Sequence, residues 1–203
     1  GKGIAVYYSP DNITETTNPS AVTPIFGNFP LLFDQVVTAI DVDGGNRKWI
    51  GTSNGIYLFN PDGTRVIHYF NKENSPLISN SIVSIKVNQK TGEVFIGTDL
   101  GIVSYRESAT LGNDDTKEVI VFPNPVKTNY AGEIGFSGLA TDAIVKVTDI
   151  SGRLVFEAQA NGGGASWNGR DYNGKKISAG VYVILTSKSD GSSAVAGKLF
   201  VVD

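Results

Sequence analysis

Apolar and polar residues alternate along this chain in runs of four to eight, broken by Gly, Asn and Asp, and no stretch keeps a helical period. The pattern predicts short β-strands joined by tight turns. One phrase is written twice. "WIGTSNGIYLF" at Trp49–Phe59 returns as "FIGTDLGIVSY" at Phe95–Tyr105. The match extends upstream, pairing Pro30 with Pro76, Leu31 with Leu77, Gly51-Thr52 with Gly97-Thr98, and Gly55-Ile56 with Gly101-Ile102. The copies differ by one residue lost before Ile85 and one gained after Asn88.

A repeat of about 45 residues holding up to four short strands is the pattern of a β-propeller blade. The innermost strands are predicted at Val37–Val42 and Val83–Val87, the second at Trp49–Thr52 and Phe95–Thr98, and the third at Ile56–Phe59 and Ile102–Tyr105. A fourth follows "PDGT" as Arg65–Phe70. Gly3–Asn12 resembles Gly55–Gly63 and is expected to be the third strand of an earlier blade. Trp49 and Phe95 align and are both expected to be buried between sheets, at about 150–250 Å² each. Gly51, Gly55, Gly97 and Gly101 are expected to serve the backbone through positive φ or close packing. So few blades cannot close a ring. With Gly1 in first place and no Met, the expectation is a longer protein, with more blades and an export signal upstream.

The pattern changes after "ESATLGNDDTK", Glu107–Lys117, a polar stretch expected to be a linker. Beyond it come predicted strands Val119–Phe122, Glu133–Phe136, Ala143–Asp149, Leu154–Ala160, Val181–Ser187 and Ala194–Val202. "PNP" (Pro123–Pro125) breaks the first, and Gly162–Gly164 reads as a flexible turn. Strands this short and numerous predict a small immunoglobulin-like β-sandwich, with Trp167 and Tyr182 as aromatic anchors. The expected organisation is all-β: partial propeller 1–106, linker 107–117, sandwich 118–203.

Composition narrows the classes. The 203 residues are 40% hydrophobic and 18% charged, a core-forming balance. The net charge of −3 arises in the first 117 residues, and the remainder is balanced, so neither part has the basic footprint of a nucleic-acid binder. No apolar run approaches the roughly 20 residues of a membrane helix. With no Cys, disulfides and thiolate metal sites are excluded.

Candidate chemistry is sparse. "DVDGGN" (Asp41–Asn46) has alternating carboxylates, but Asn46 stands where a calcium loop of the EF-hand kind needs Gly, so it reads as a hairpin. His68, the only His, has no second His or Cys to complete a metal set or triad and reads as structural. Asp114-Asp115 lies in the linker, where nothing fixes a glycosidase geometry. No nucleophile elbow is present. No catalytic, metal or cofactor residue is therefore assigned. "GRDYNGKK" gathers Arg170, Lys175 and Lys176 around one turn, where they are candidates for an anionic glycan or phosphate.

Two resemblances follow from these motifs. The repeated phrase resembles the two-component-regulator type of propeller repeat. "PNP", "D-x-x-G-R", "W-N-G-R-D" and "G-V-Y", in that order over Val121–Ile184, resemble type IX secretion C-terminal sorting domains and the related FlgD-like immunoglobulin modules. The two together, over Phe29 to the end, resemble the PorZ-like proteins of type IX secretion. That resemblance implies a non-enzymatic, outer-membrane-associated surface component that retains its sorting-like domain. It also implies binding of anionic lipopolysaccharide or surface glycan, with other type IX surface proteins, a sortase among them, as partners. It carries no site residue over. The alternatives are the sensor propeller of a hybrid two-component system and a secreted cargo with a removable sorting domain.

Overall fold

The computed structural model describes residues 3–7, 14, 20–114, 119–187 and 193–203. The described chain is all-β. It divides into two compact units: Gly1–Val42, Asn46–Val87 and Val94–Tyr105 form the first, and Asp43–Gly45, Asn88–Glu93 and Arg106–Asp203 the second. Residues 8–12 of the expected early strand and 115–117 of the expected linker lie outside the described residues.

In the first unit, β1 (Ile25–Phe26) and β2 (Phe29–Pro30) form a small hairpin. The first blade is an antiparallel meander of β3 (Val37–Val42), β4 (Lys48–Thr52), β5 (Gly55–Phe59) and β6 (Val66–Phe70). The second has β7 (Ile82–Asn88), β8 (Glu93–Thr98) and β9 (Gly101–Arg106). The architecture is that of a partial propeller. The extra residue of the first copy is absorbed in β3, where Val37 faces Thr52 and Ala39 faces Gly51, leaving Thr38 bulged.

The shared "G-T-x-x-G-I" phrase has one physical meaning in both blades. Thr52 Oγ1 donates to Gly55 O at 2.9 Å and accepts from Asn54 N at 3.0 Å. Thr98 Oγ1 does the same with Gly101 O at 2.9 Å and Leu100 N at 3.2 Å. The strand then restarts at Gly55 with φ 126° and Gly101 with φ 140°, where an L side chain is strained. A Cβ at Gly51 would also collide with the side chain of Ile82 in the next sheet.

The two sheets share a core of Trp49, Ile56 and Leu58 with Ile82, Ile85, Val94 and Ile96. Its polar seam is Asp41, whose Oδ2 accepts from Val87 N at 2.9 Å and pairs with Lys86 Nζ at 3.3 Å. Burial works against the Asp41 charge, but the N–H groups of Val87 and Val42 and the Lys86 ammonium outweigh it and hold the pKa below the ordinary value.

The expectation for Phe95 fails. Trp49 is 0% exposed, whereas Phe95 is 41% exposed. Alternation explains the difference. Val94 and Ile96 turn toward the first blade, so Phe95 points the other way, and among the described residues no sheet covers that face. Val83 and Ile102 are exposed with it. The aligned letter keeps its direction but not its neighbour.

The second unit is a sandwich. One sheet is β10 (Ile120–Phe122), β12 (Ile134–Ser137) and β15 (Gly164–Trp167). The other orders β11 (Val126–Lys127), β17 (Ser193–Val202), β16 (Gly180–Ser187), β13 (Ile144–Asp149) and β14 (Leu154–Gln159). Phe136, Val145, Val147, Ile184 and Leu199 are buried between them. Trp167 stacks on Phe156 at 5.1 Å and donates Nε1–H to Arg170 O at 2.7 Å. Tyr182 is buried and donates its hydroxyl to Ser178 O at 3.0 Å.

Two local readings change. Gly162–Gly164 is not a loose turn: Gly164 opens β15, and Cβ atoms at Gly163 and Gly164 would collide with the backbones of Leu111 and Ser108. "PNP" does more than break a strand. The Asn124 amide donates Nδ2–H to Lys198 O at 2.9 Å and accepts from Phe200 N at 3.0 Å, standing in for a neighbouring strand on the edge of β17.

Two stability outcomes follow. Trp49→Ala is expected to cost about 3–5 kcal/mol, and Phe95→Ala less than about 1 kcal/mol, by denaturant unfolding; equal losses would contradict the assigned faces. Asn124→Ala, losing two hydrogen bonds, is expected to cost about 1–2 kcal/mol and to speed exchange of the Phe200 amide. Unchanged exchange there would show that the amide does not hold the edge.

Candidate functional site

Strand direction gathers the polar turns of the sandwich. Asp149, the last residue of β13, faces Tyr182 near the start of β16, and Gly180 faces Val201 near the end of β17. β11 lies beside that same end, with Lys127 opposite Val202. The turn after β13 and the segment from β15 into β16 therefore leave the sandwich at one end. Burial, partly offset by its bond to Ser178 and reinforced by the Asp149 charge, raises the Tyr182 phenol.

Both segments contain the same five-residue device. In "DISGR" (Asp149–Arg153), Asp149 Oδ1 accepts from Ser151 N at 2.9 Å and Arg153 N at 3.1 Å, while Asp149 N donates to Arg153 O at 3.0 Å. In "DYNGK" (Asp171–Lys175), Asp171 Oδ1 accepts from Asn173 N and Lys175 N, each at 2.9 Å, while Asp171 N donates to Lys175 O at 2.8 Å. Gly152 and Gly174 take φ 84° and 75° at matching places. The leading carboxylate satisfies backbone donors that a tight loop leaves over, and the glycine allows the left-handed residue.

The structure places the three predicted cations in this second turn and differentiates them. Arg170 is exposed and donates Nη1–H to Gly174 O at 2.8 Å, which stiffens the loop. Lys175 is exposed, and among the described residues its ammonium has no partner. Lys176 is half-buried and donates to Tyr130 O at 2.5 Å. Arg153 and Lys127 join them at this end and were missed in the sequence. The signal for Arg153 was available, since D-x-x-G-R and D-x-x-G-K are one pattern written twice. Lys127 came from "PVK" after the proline break, where no strand was expected.

A cleft between Lys127, Thr128, Tyr130, Asn168 and Lys176 has room for one water at most, too small to enclose a ligand. Any ligand here must be bound on the surface. Among the described residues no three His, Asp or Glu group as a metal set. His68 stacks on Phe70 at 5.3 Å and meets Tyr105 edge-on at 6.4 Å, within an aromatic cluster of the first unit.

Against known proteins, residues 120–201 match the family of the secretion system C-terminal sorting domain. The whole chain superimposes on PorZ of Porphyromonas gingivalis, described as an essential surface component of its type IX secretion system. The identity is 30% and the TM-score 0.63, over 100% of this chain and 28% of that one. This chain thus spans just over a quarter of PorZ. The extracellular domain of a hybrid two-component system from B. thetaiotaomicron matches at 10% identity and TM-score 0.36, over 92% and 41% of the two chains. Dimeric latent PorU from Porphyromonas gingivalis matches at 14% and 0.35, over 95% and 21%. No curated protein sequence matches the chain.

The Asp149 turn makes a pH-dependent contribution. Hydrogen bonds from the Ser151 hydroxyl and from Arg153 hold its carboxyl at about 2, against an ordinary 3.8. A pKa depressed by folding gives stability that is present above the unfolded value and lost as pH falls through the folded one. The turn should therefore stay closed above pH 3.8 and open toward pH 2. The carboxyl resonance of Asp149 should titrate near the lower value and move up in Ser151→Ala. A midpoint at the ordinary value would show that the turn is not closed in solution.

Proposed function

From a PorZ-like chain of type IX secretion, ending in a secretion-type sorting domain, we propose a cell-surface component of the attachment machinery that binds anionic lipopolysaccharide and catalyses nothing. One observation carries the reading. The exposed end of the sandwich presents cations on turns whose backbones are locked by their own hydrogen bonds.

Recognition of an anionic glycan needs no more than this. Cations held out on ordered turns meet phosphate or uronate groups without a deep pocket. Arg170 and Lys175 are the proposed contacts. Lys176, already bonded to Tyr130, positions the base of the turn. Attraction at exposed cations is screened, so the interaction is salt-sensitive. Other surface proteins of the same secretion system are the proposed protein partners. Export to the outer surface and retention of the sorting domain are part of the same proposal.

The test is binding of the purified chain to anionic and to neutral lipopolysaccharide, at low and at high salt. The expected result is preference for the anionic form, lost at high salt and weakened at least about tenfold in Arg170→Ala/Lys175→Ala. Equal binding to both forms, or to neither, overturns the ligand assignment. Undiminished binding by the double variant removes only these two residues.

A further inference from the structure

The twin turns share a feature that glycan binding does not use. The residue after the leading Asp is Ile150 in one and Tyr172 in the other, and these are 81% and 65% exposed. A single exposed apolar residue on a soluble surface means little. Here two turns of matching hydrogen bonding, at one end of the sandwich, each lift an apolar side chain at the same position and close on a cation, Arg153 or Lys175.

We infer that this end of the sandwich docks on an anionic lipid bilayer, with Ile150 and Tyr172 entering the boundary between headgroups and acyl chains. The inference rests on the surface location proposed above. Tyr suits that boundary, having an apolar ring and a polar hydroxyl. Arg170, Lys175 and Lys127 lie at this end, where lipid phosphates would sit, while Arg153 is paired with Asp149 at 3.0 Å. Each basic residue near such a surface adds roughly fivefold to partitioning. Of the two turn carboxylates, Asp149 is offset by its ion pair with Arg153, and Asp171 accepts from two N–H groups of its own turn. Insertion of a few apolar side chains backed by cations is the interfacial mode of membrane binding.

The experiment is flotation of the 203-residue chain with vesicles of phosphatidylglycerol and phosphatidylcholine, and with phosphatidylcholine alone. The expected result is at least about tenfold stronger partitioning to the anionic vesicles. Ile150→Ser/Tyr172→Ser, which keeps every turn hydrogen bond and every cation, should lose most of it. Lys127→Gln/Lys175→Gln should weaken it in a salt-dependent way. Undiminished flotation of the Ser double variant overturns the inference, as does equal or absent flotation of the wild type on both vesicles. Absent flotation together with altered self-association of the Ser variant in ultracentrifugation would assign the tips to a protein contact and also overturn it. Soluble lipopolysaccharide polysaccharide, stripped of acyl chains, separates the two proposals. Vesicle binding without polysaccharide binding sinks only the glycan assignment, and the reverse sinks only the bilayer.

Discussion

A side chain that satisfies the backbone of its own turn is the interaction on which this fold depends. An all-β chain without disulfides has only ladders, cores and turns to define it, and each tight turn leaves backbone donors over. Here the first residue of the turn takes them up. Asn60 accepts from Arg65 N, Asn88 from Lys90 N, and Asp149 and Asp171 from two N–H groups each. Thr52 and Thr98 do related work between the second and third strands. Register follows from these closures, and register decides which face of each strand is buried.

Much of this was legible in the sequence because turn chemistry and alternation are local. The repeat, the strands of both blades and most strands of the sandwich follow from spacing and from Gly, Asn and Asp positions. Trp167 and Tyr182 are buried anchors, as the pattern of "SWNG" and "GVYV" suggests. What local pattern does not carry is the identity of the neighbour. Phe95 aligns with Trp49 but meets no second sheet among the described residues, so equivalent positions have unequal environments. Asn124 looks like a break between prolines, and its role is visible only when β17 returns from 74 residues away. The glycines at 162–164 read as slack, because only the fold brings Leu111 and Ser108 against them.

The candidate site was half legible. Arg170, Lys175 and Lys176 were found by charge, yet charge alone did not separate the free ammonium of Lys175 from that of Lys176, which Tyr130 engages. The matching turn at Asp149–Arg153 carried its own warning in the repeated D-x-x-G spelling. Proximity of the two turns depends on the pairing of β13 with β16, a long-range fact.

The seam at Asp41 bears on assembly. Near-identical modules that present the same two faces can stack without end, and a head-to-tail contact that does not close makes a fibre. In the first blade the seam is an acceptor, Asp41, meeting the Val87 amide and the Lys86 ammonium. At the aligned place in the second blade the chain writes Lys86 instead. A neighbour with Lys at both aligned places would set cation against cation, so the Asp41–Lys86 pair keys this joint to one order of blades.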